Sequence, residues 1–315
     1  MGNILFMVVP CYNEQEVITE TTKRLSEKLN ALISQGKIDK NSKVLYVNDG
    51  SKDKTWEMIC DIHNNDKMFR GLCLSRNRGH QNAVLAGLMT AKEEADMVIS
   101  MDADLQDDIN AIDEMVDKFN EGYDVVYGVR NKRDTDTAFK RVTAQVYYKF
   151  LLKLGVDIVY NHADFRLMSK RVLDNLENYK EVNLFLRGII PMIGFPSTNV
   201  YYERADRFAG ESKYPLKKML HFAFDGITSL SIKPIRFITV LGLLIFFLSI
   251  VILAYSIISH FLGNTALGWS SIMVSVWALG GLQIFSIGII GEYIGKIYLE
   301  SKERPRFIIK DYLND

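Results

Sequence analysis

Two apolar runs near the C-terminus constrain this chain more than any other feature. They read "IRFITVLGLLIFFLSIVILAYSIISHF" over residues 235–261 and "LGWSSIMVSVWALGGLQIFSIGIIGEYI" over residues 267–294. A helix needs about 20 predominantly apolar residues to cross the hydrocarbon of a bilayer, and each run exceeds that. The core helix of a large soluble protein is the competing explanation. Two consecutive runs this long and this poor in charge argue against it. The chain therefore reads as a membrane protein with a two-helix hairpin over residues 235–295. The connector "LGNTALG" carries no Lys or Arg, whereas "KPIR" precedes the first run and "GKIYLESKERPRFIIK" follows the second. Basic residues stay on the cytoplasmic side, so the soluble part and both termini are expected in the cytoplasm, at a cell membrane crossed twice. The opening "MGNILFMVVPCYNE" lacks the basic flank and the length of a secretory signal.

The first two-thirds of the chain alternates short apolar runs with helix-periodic segments. "ILFMVVP", "KVLYVND", "FRGLCLS", "DMVISMD" and "DVVYGVR" read as strands, separated by amphipathic helices such as "EQEVITETTKRLSEKLNALISQ". That order predicts an α/β architecture, a doubly wound and mostly parallel sheet with helices on both faces. The expected boundaries are a catalytic domain over 1–211, a juxtamembrane segment over 212–234, the hairpin over 235–295 and a tail over 296–315. Ligands of open α/β sheets bind beyond the carboxyl ends of the strands. The polar residues gather there, in "PCYNE", "NDGS", "SRNRGH", "DADLQD" and "VRNKRD". No G-x-G-x-x-G follows the first strand and no P-loop motif occurs, which disfavours dinucleotide and P-loop sites. Lys+Arg and Asp+Glu both number 38, so net charge gives no reason to expect a nucleic-acid partner. Cys11, Cys60 and Cys73 are odd in number, lack metal-ligand spacing and carry no assigned role.

The fourth strand ends in Asp102, Asp104 and Asp107. Asp is a common turn residue, and a solvated turn is one reading. A divalent-metal site is the other. It rests on a strand-to-loop turn that brings Asp102 and Asp104 to one ligand, with Mg²⁺ or Mn²⁺ suiting hard oxygen donors. Asp107 and Asp108 read as acidic charge before the helix "INAIDEM".

Taken together, "VVPCYNEQEVI", "VNDGSKDKT" and "DADLQD" resemble the family 2 glycosyltransferases of the GT-A fold. "HADFRLMSKRV", "RFAGESKYPLKKML" and "IGEYIGKIYLE" narrow the resemblance to the polyprenyl-phosphate glycosyltransferases, especially the bactoprenol glucosyltransferase branch. The resemblance implies transfer of one hexose from a UDP-sugar, UDP-glucose first, to undecaprenyl phosphate. It gives Asp104 the metal, places Asp102 between nucleotide and metal, and makes Gln106 a further ligand. Asp49 would meet the uracil, with an ordinary turn Asp as the alternative. Pro10, Tyr12 and Glu14 would line the nucleotide loop. Arg76 and Arg78 precede a helix whose N-terminus also attracts anions, with solvated loop arginines as the alternative.

The processive synthases of the superfamily carry a Gln/Arg-x-x-Arg-Trp motif. Trp56, Trp269 and Trp277 stand in no such setting, so chain extension is disfavoured. A lipid phosphate is already ionised at neutral pH and needs positioning and charge neutralisation rather than a base. Arg130, Arg141, Arg166 and Lys213 are the acceptor-side candidates, Asp164 could orient one of them, and surface ion pairs are the alternative for each. Residues 212–232 alternate Lys217, Lys218, His221 and Asp225 with apolar residues, as an interfacial helix against the lipid bilayer would. The resemblance further implies a homo-oligomer, tetrameric in the family, with a separate flippase and a downstream transferase for a wall or surface polymer. Other donors, such as UDP-N-acetylglucosamine or a modified aminoarabinose, are not separated by any residue. A non-catalytic membrane anchor or transporter subunit is the competing class.

Overall fold

The computed structural model describes residues 2–130, 162–182, 184–203 and 268–314, with scattered positions between 235 and 251. Arg141, Lys213, the segment 212–234 and the body of the first apolar run lie outside the described residues. By contact the chain divides into one unit of residues 1–219 with 304–315 and a second of residues 220–303.

In the first unit the strands are β1 (Leu5–Cys11), β2 (Lys43–Asn48), β3 (Phe69–Leu74), β4 (Met97–Ser100), β5 (Val125–Arg130), β6 (His162–Ser169), β7 (Ser197–Tyr202) and β8 (Ile309–Leu313). The helices are α1 (Ile18–Ser34), α2 (Thr55–Asn65), α3 (His80–Ala91), α4 (Ala111–Asn120), α5 (Lys170–Leu176) and α6 (Leu186–Ile193). The strands form one sheet in the order β7-β5-β6-β4-β1-β2-β3-β8. Every residue of β1 is buried, as a strand covered on both faces requires. Its Leu5, Met7, Val9 and Cys11 pack under α1, α2 and α4, while Phe6 and Val8 pack under α3, α5 and α6. Helix α1 buries Ile18, Thr21, Leu25, Leu29 and Leu32, one stripe at helical spacing.

The five expected strands are present, and the sheet is mixed but mostly parallel: among the described strands only β6 and β8 run against the others. β1 pairs parallel with β2 and β4, and β2 with β3. Between β4 and β5 lies β6, antiparallel to both. Its sequence "HADFRLMS" places Asp164 and Arg166 on one side of the strand. Charges at alternate positions disguise a buried strand, because a buried charge is tolerated only with a partner. The other additions are β7, parallel to β5, and β8. Residues 309–313, assigned to a tail by the sequence, pair antiparallel with β3. Leu313 packs against the α1–α2–α4 core, and Phe307 and Tyr312 against the other. Arg306 Nη1 donates to the Tyr179 carbonyl at 2.7 Å, and Ser75 N to the Ile308 carbonyl at 2.9 Å.

The second unit contains α7 (Trp269–Ser301), 33 residues long. Its stretch Leu279–Ser301 has a mean hydropathy of 1.2 and no buried share, and is long and apolar enough to cross a membrane.

Helix α3 comes close to the sheet at Gly87. A Cβ there would clash with Val8 and would lie 2.7 Å from Val47 Cγ2. The Gly87→Val variant is expected to lose about 1–3 kcal/mol of stability by overpacking. A thermal melt of the full chain in detergent checks this, and an unchanged midpoint would contradict the close approach.

Candidate active site

Beyond β4 the chain turns, yet burial still alternates for eight more residues. Met101, Ala103, Leu105 and Asp107 are buried, and Asp102, Asp104, Gln106 and Asp108 are half-exposed. The chain turns at Ala103–Asp104, as a strand-to-loop turn was expected to, and Asp102 and Asp104 both stay half-exposed through it. The buried side is held from below: Thr21 Oγ1 donates to the Ala103 carbonyl at 2.9 Å. On the open side Gln106 N donates to Asp104 Oδ1 at 3.2 Å. Leu105 between them sits at φ 57°, in the left-handed region that a branched side chain rarely enters.

Behind Asp102 lies a charged cluster. His80, the first residue of α3, places Nε2 3.6 Å from Asp102 Oδ1 and 3.6 Å from Asp164 Oδ2. Asp164 accepts from Arg187 Nε at 3.1 Å and Nη2 at 3.0 Å, a bidentate fork, and also from Arg166. Burial works to raise the Asp164 carboxyl, but Arg187, His80 and Arg166 outweigh it and hold it well below the usual range. His80 is opposed by burial yet held protonated above its ordinary range by Asp164 and Asp102. Asp102 behaves oppositely: burial pushes it up to about 6, and the carboxylates of Asp107, Asp164 and Asp104 add to the rise against His80.

The three neighbouring loops clamp one another. Asn13 N donates to Ser51 Oγ at 3.0 Å, Lys52 N to Asn13 Oδ1 at 2.9 Å and Glu14 N to Thr55 Oγ1 at 2.9 Å. Asp49 accepts from Arg78 N at 2.7 Å and Gly79 N at 3.0 Å. Both its oxygens thus fix the loop before α3, and a contact with a base would come in addition to that work. Gly50, at φ 65°, lies so close to the third loop that a Cβ would stand 2.6 Å from Asn77 N.

The structure gathers the nucleotide-side candidates on adjoining strand ends: Pro10 buried in β1, Tyr12 and Glu14 half-buried, Asp49 buried, Arg78 half-buried and Arg76 exposed. It separates the acceptor-side ones. Arg166 is 1% exposed and faces the covered side of the sheet, so it holds Asp164 and does not offer itself to a lipid phosphate. Arg130 donates from Nη2 to Asp107 Oδ1 at 3.1 Å and from Nε to the Tyr202 hydroxyl at 3.3 Å. Its charge is paired with a carboxylate while its side chain stays 24% exposed. Asp107 is likewise not a helix-end charge. Helix α4 begins four residues later, and Asp107 is buried against Arg130 and Tyr202. His80, Arg187 and Tyr202 have no role in the sequence reading, and Asp107 has another one there. Arg187 left a signal, a lone cation inside the apolar run "LFLRGIIPMI".

Residues 6–177 match glycosyl transferase family 2, and residues 233–297 match the GtrB C-terminal hairpin. The chain belongs to glycosyl transferase family 2. It is 56% identical over 306 residues to an uncharacterized glycosyltransferase of Bacillus subtilis (strain 168), covering 97% of this chain and 91% of that one. It is 40% identical over 307 residues to the bactoprenol glucosyl transferase of Shigella phage SfV, covering 97% of each. The chain is therefore a glycosyltransferase, and its mixed α/β sheet is of the GT-A kind.

The residues of this family 2 site fit a hard divalent cation. The donors are carboxylate and amide oxygens on one side of one loop, and a cation there offsets both the burial and the neighbouring carboxylates that lift Asp102. Among the described residues no three or more His, Cys, Asp or Glu side chains form a ready metal cluster. Asp102, Asp104 and Gln106 would leave the remaining coordination to water and to a substrate's phosphates.

Two variants separate chemistry from scaffold here. Asp104→Ala is expected to abolish sugar transfer while costing about 1 kcal/mol of stability or less, since its side chain is half-exposed. Unchanged turnover would remove Asp104 from the metal site. Asp164→Ala is expected to cost about 3–5 kcal/mol, because it leaves Arg166 buried without its partner. Denaturant titration of both proteins checks the contrast.

Proposed function

We propose that this chain is a membrane-anchored, metal-dependent enzyme that moves one glucose from UDP-glucose to undecaprenyl phosphate with inversion. The observation that carries this reading is the open side of the 102–106 loop, where two carboxylates and an amide converge beside the clamped loops. The phage relative named a bactoprenol glucosyl transferase supports the acceptor and the sugar, because the likeness spans both the catalytic domain and the C-terminal hairpin.

The lipid phosphate oxygen attacks the anomeric carbon as the bond to UDP breaks, and the electron pair leaves with the diphosphate. Direct displacement gives a β-linked lipid-phosphate sugar. A divalent cation, when bound, neutralises the departing diphosphate. Asp102, Asp104 and Gln106 would hold it. Asp49 and Gly50 keep the nucleotide-side loops together. Arg187, 27% exposed and aligned by Asp164, and His80, 31% exposed, are the partly exposed cations described in this cluster. Arg141 and Lys213 are further candidates for the acceptor phosphate.

Two membrane crossings are supported by the sheet itself. β8 pairs with β3, so residues 304–315 lie on the same side of a bilayer as the N-terminal domain. The chain between them then crosses an even number of times. Helix α7 supplies one crossing and the run 235–261 the other, and the basic flanks put the catalytic domain in the cytoplasm. A labelled lipid made on that side would need a flippase before a downstream transferase could use it.

The test is a transfer assay with the purified full chain, undecaprenyl phosphate, Mn²⁺ or Mg²⁺, and a panel of labelled nucleotide sugars. A labelled, β-configured lipid from UDP-glucose, formed only with metal, is the expected result. Labelling from UDP-N-acetylglucosamine or an aminoarabinose donor instead would overturn the sugar. Retention at the anomeric centre would overturn single displacement. No labelled lipid from any donor would favour a binding role.

A further inference from the structure

The half-exposed Asp104 and Gln106 are presented by a stretch of chain that does not hold its own shape. Leu105 between them is left-handed, a conformation that persists in a non-glycine residue only where its surroundings over-determine it. On the upstream side the restraint is Thr21, bonded to the Ala103 carbonyl. On the downstream side it is Asp107. This carboxylate is 2% exposed, accepts from the Tyr202 hydroxyl and from Arg130, and has no partner for Oδ2. Arg130 and Tyr202 are themselves register partners at the ends of the parallel strands β5 and β7. The loop is thus fastened to a strand pair two places away from β4, across the inserted β6.

We propose that Asp107, with Tyr202 and Arg130, is a positioning element for the metal loop. It does not touch substrate. It fixes the downstream end of the loop so that Leu105 stays left-handed and Asp104 and Gln106 face the same ligand as Asp102. The inference rests on the metal reading of the loop and deepens it.

Tyr202→Phe is the informative variant. It removes the hydroxyl but keeps the ring, which packs edge-to-face on Phe165 at 5.5 Å between centroids. Asp107→Asn is the second variant: it keeps an acceptor for both partners and loses the charge. Mn²⁺ binding to the full chain in detergent, with UDP present, is measured by calorimetry and by the Mn²⁺ paramagnetic resonance spectrum, alongside thermal melting. Partners that orient ligands without binding the metal typically contribute about 10- to 100-fold in metal affinity. Tyr202→Phe is expected to weaken Mn²⁺ binding within that range and to alter the spectrum, with the melting midpoint near wild type. Asp107→Asn is expected to fall between wild type and Tyr202→Phe. Wild-type Mn²⁺ affinity and spectrum in Tyr202→Phe would overturn the positioning role and leave the metal reading intact. Absence of Mn²⁺ binding in the wild-type chain would overturn the metal reading and this inference with it. A change confined to the melting midpoint would make the triad purely structural and would also overturn the proposal.

Discussion

The buried charge of Asp164 is the constraint around which the site is built. An isolated carboxylate is too costly to keep inside a sheet, so the fold must bring cations to it from several directions. Arg166 comes from the same strand, Arg187 from α6 and His80 from α3. Satisfying one carboxylate therefore sets where two helices begin relative to the central strands. Gln81, the next residue of α3, accepts from Leu186 N at 3.1 Å, so the two helix starts are also joined directly. The result is a rigid floor beneath a loop whose own carboxylates are only half-covered.

The loop above that floor separates two tasks by alternation alone. The buried side chains hold the loop to the protein, and the half-exposed ones between them are left for a ligand. Packing and chemistry then make no competing demands on a single residue. The same economy appears at Asp49, whose buried carboxylate spends both oxygens on backbone amides of the next loop. It is also visible at Asn13, left-handed at φ 55°, whose side chain and backbone both reach the second loop.

Much of the first half of the fold was legible because its signals are local. β1 to β5 are short apolar runs, and the helices between them show an apolar stripe that needs no partner to be recognised. The metal-loop candidates Asp102, Asp104 and Gln106 share one loop, where a buried run turns polar. β6 was hidden because its Asp164 and Arg166 read as a polar motif until the residues that neutralise them are seen. Arg166 was taken for a ligand for a related reason. Sequence shows that a guanidinium exists, not whether a carboxylate has already claimed it. Asp107 was misread through its neighbours, because acidic residues ahead of a helix are common and the buried tyrosine that binds it lies 95 positions away. β8 had no local signal at all, since five residues beyond an apolar helix carry no mark of the strand they complete.

The late arrival of β8 has a consequence for how this protein is made. A ribosome releases β1 to β7 before either apolar run, and β8 only after both. Until then β3 presents an open edge, the kind of surface that recruits stray strands. Closing it joins residues about 240 positions apart, a slow step with a large loop-closure entropy. A chain whose last residues fail to reach that edge stays recognisable as unfinished, and the sheet becomes its own check on completion.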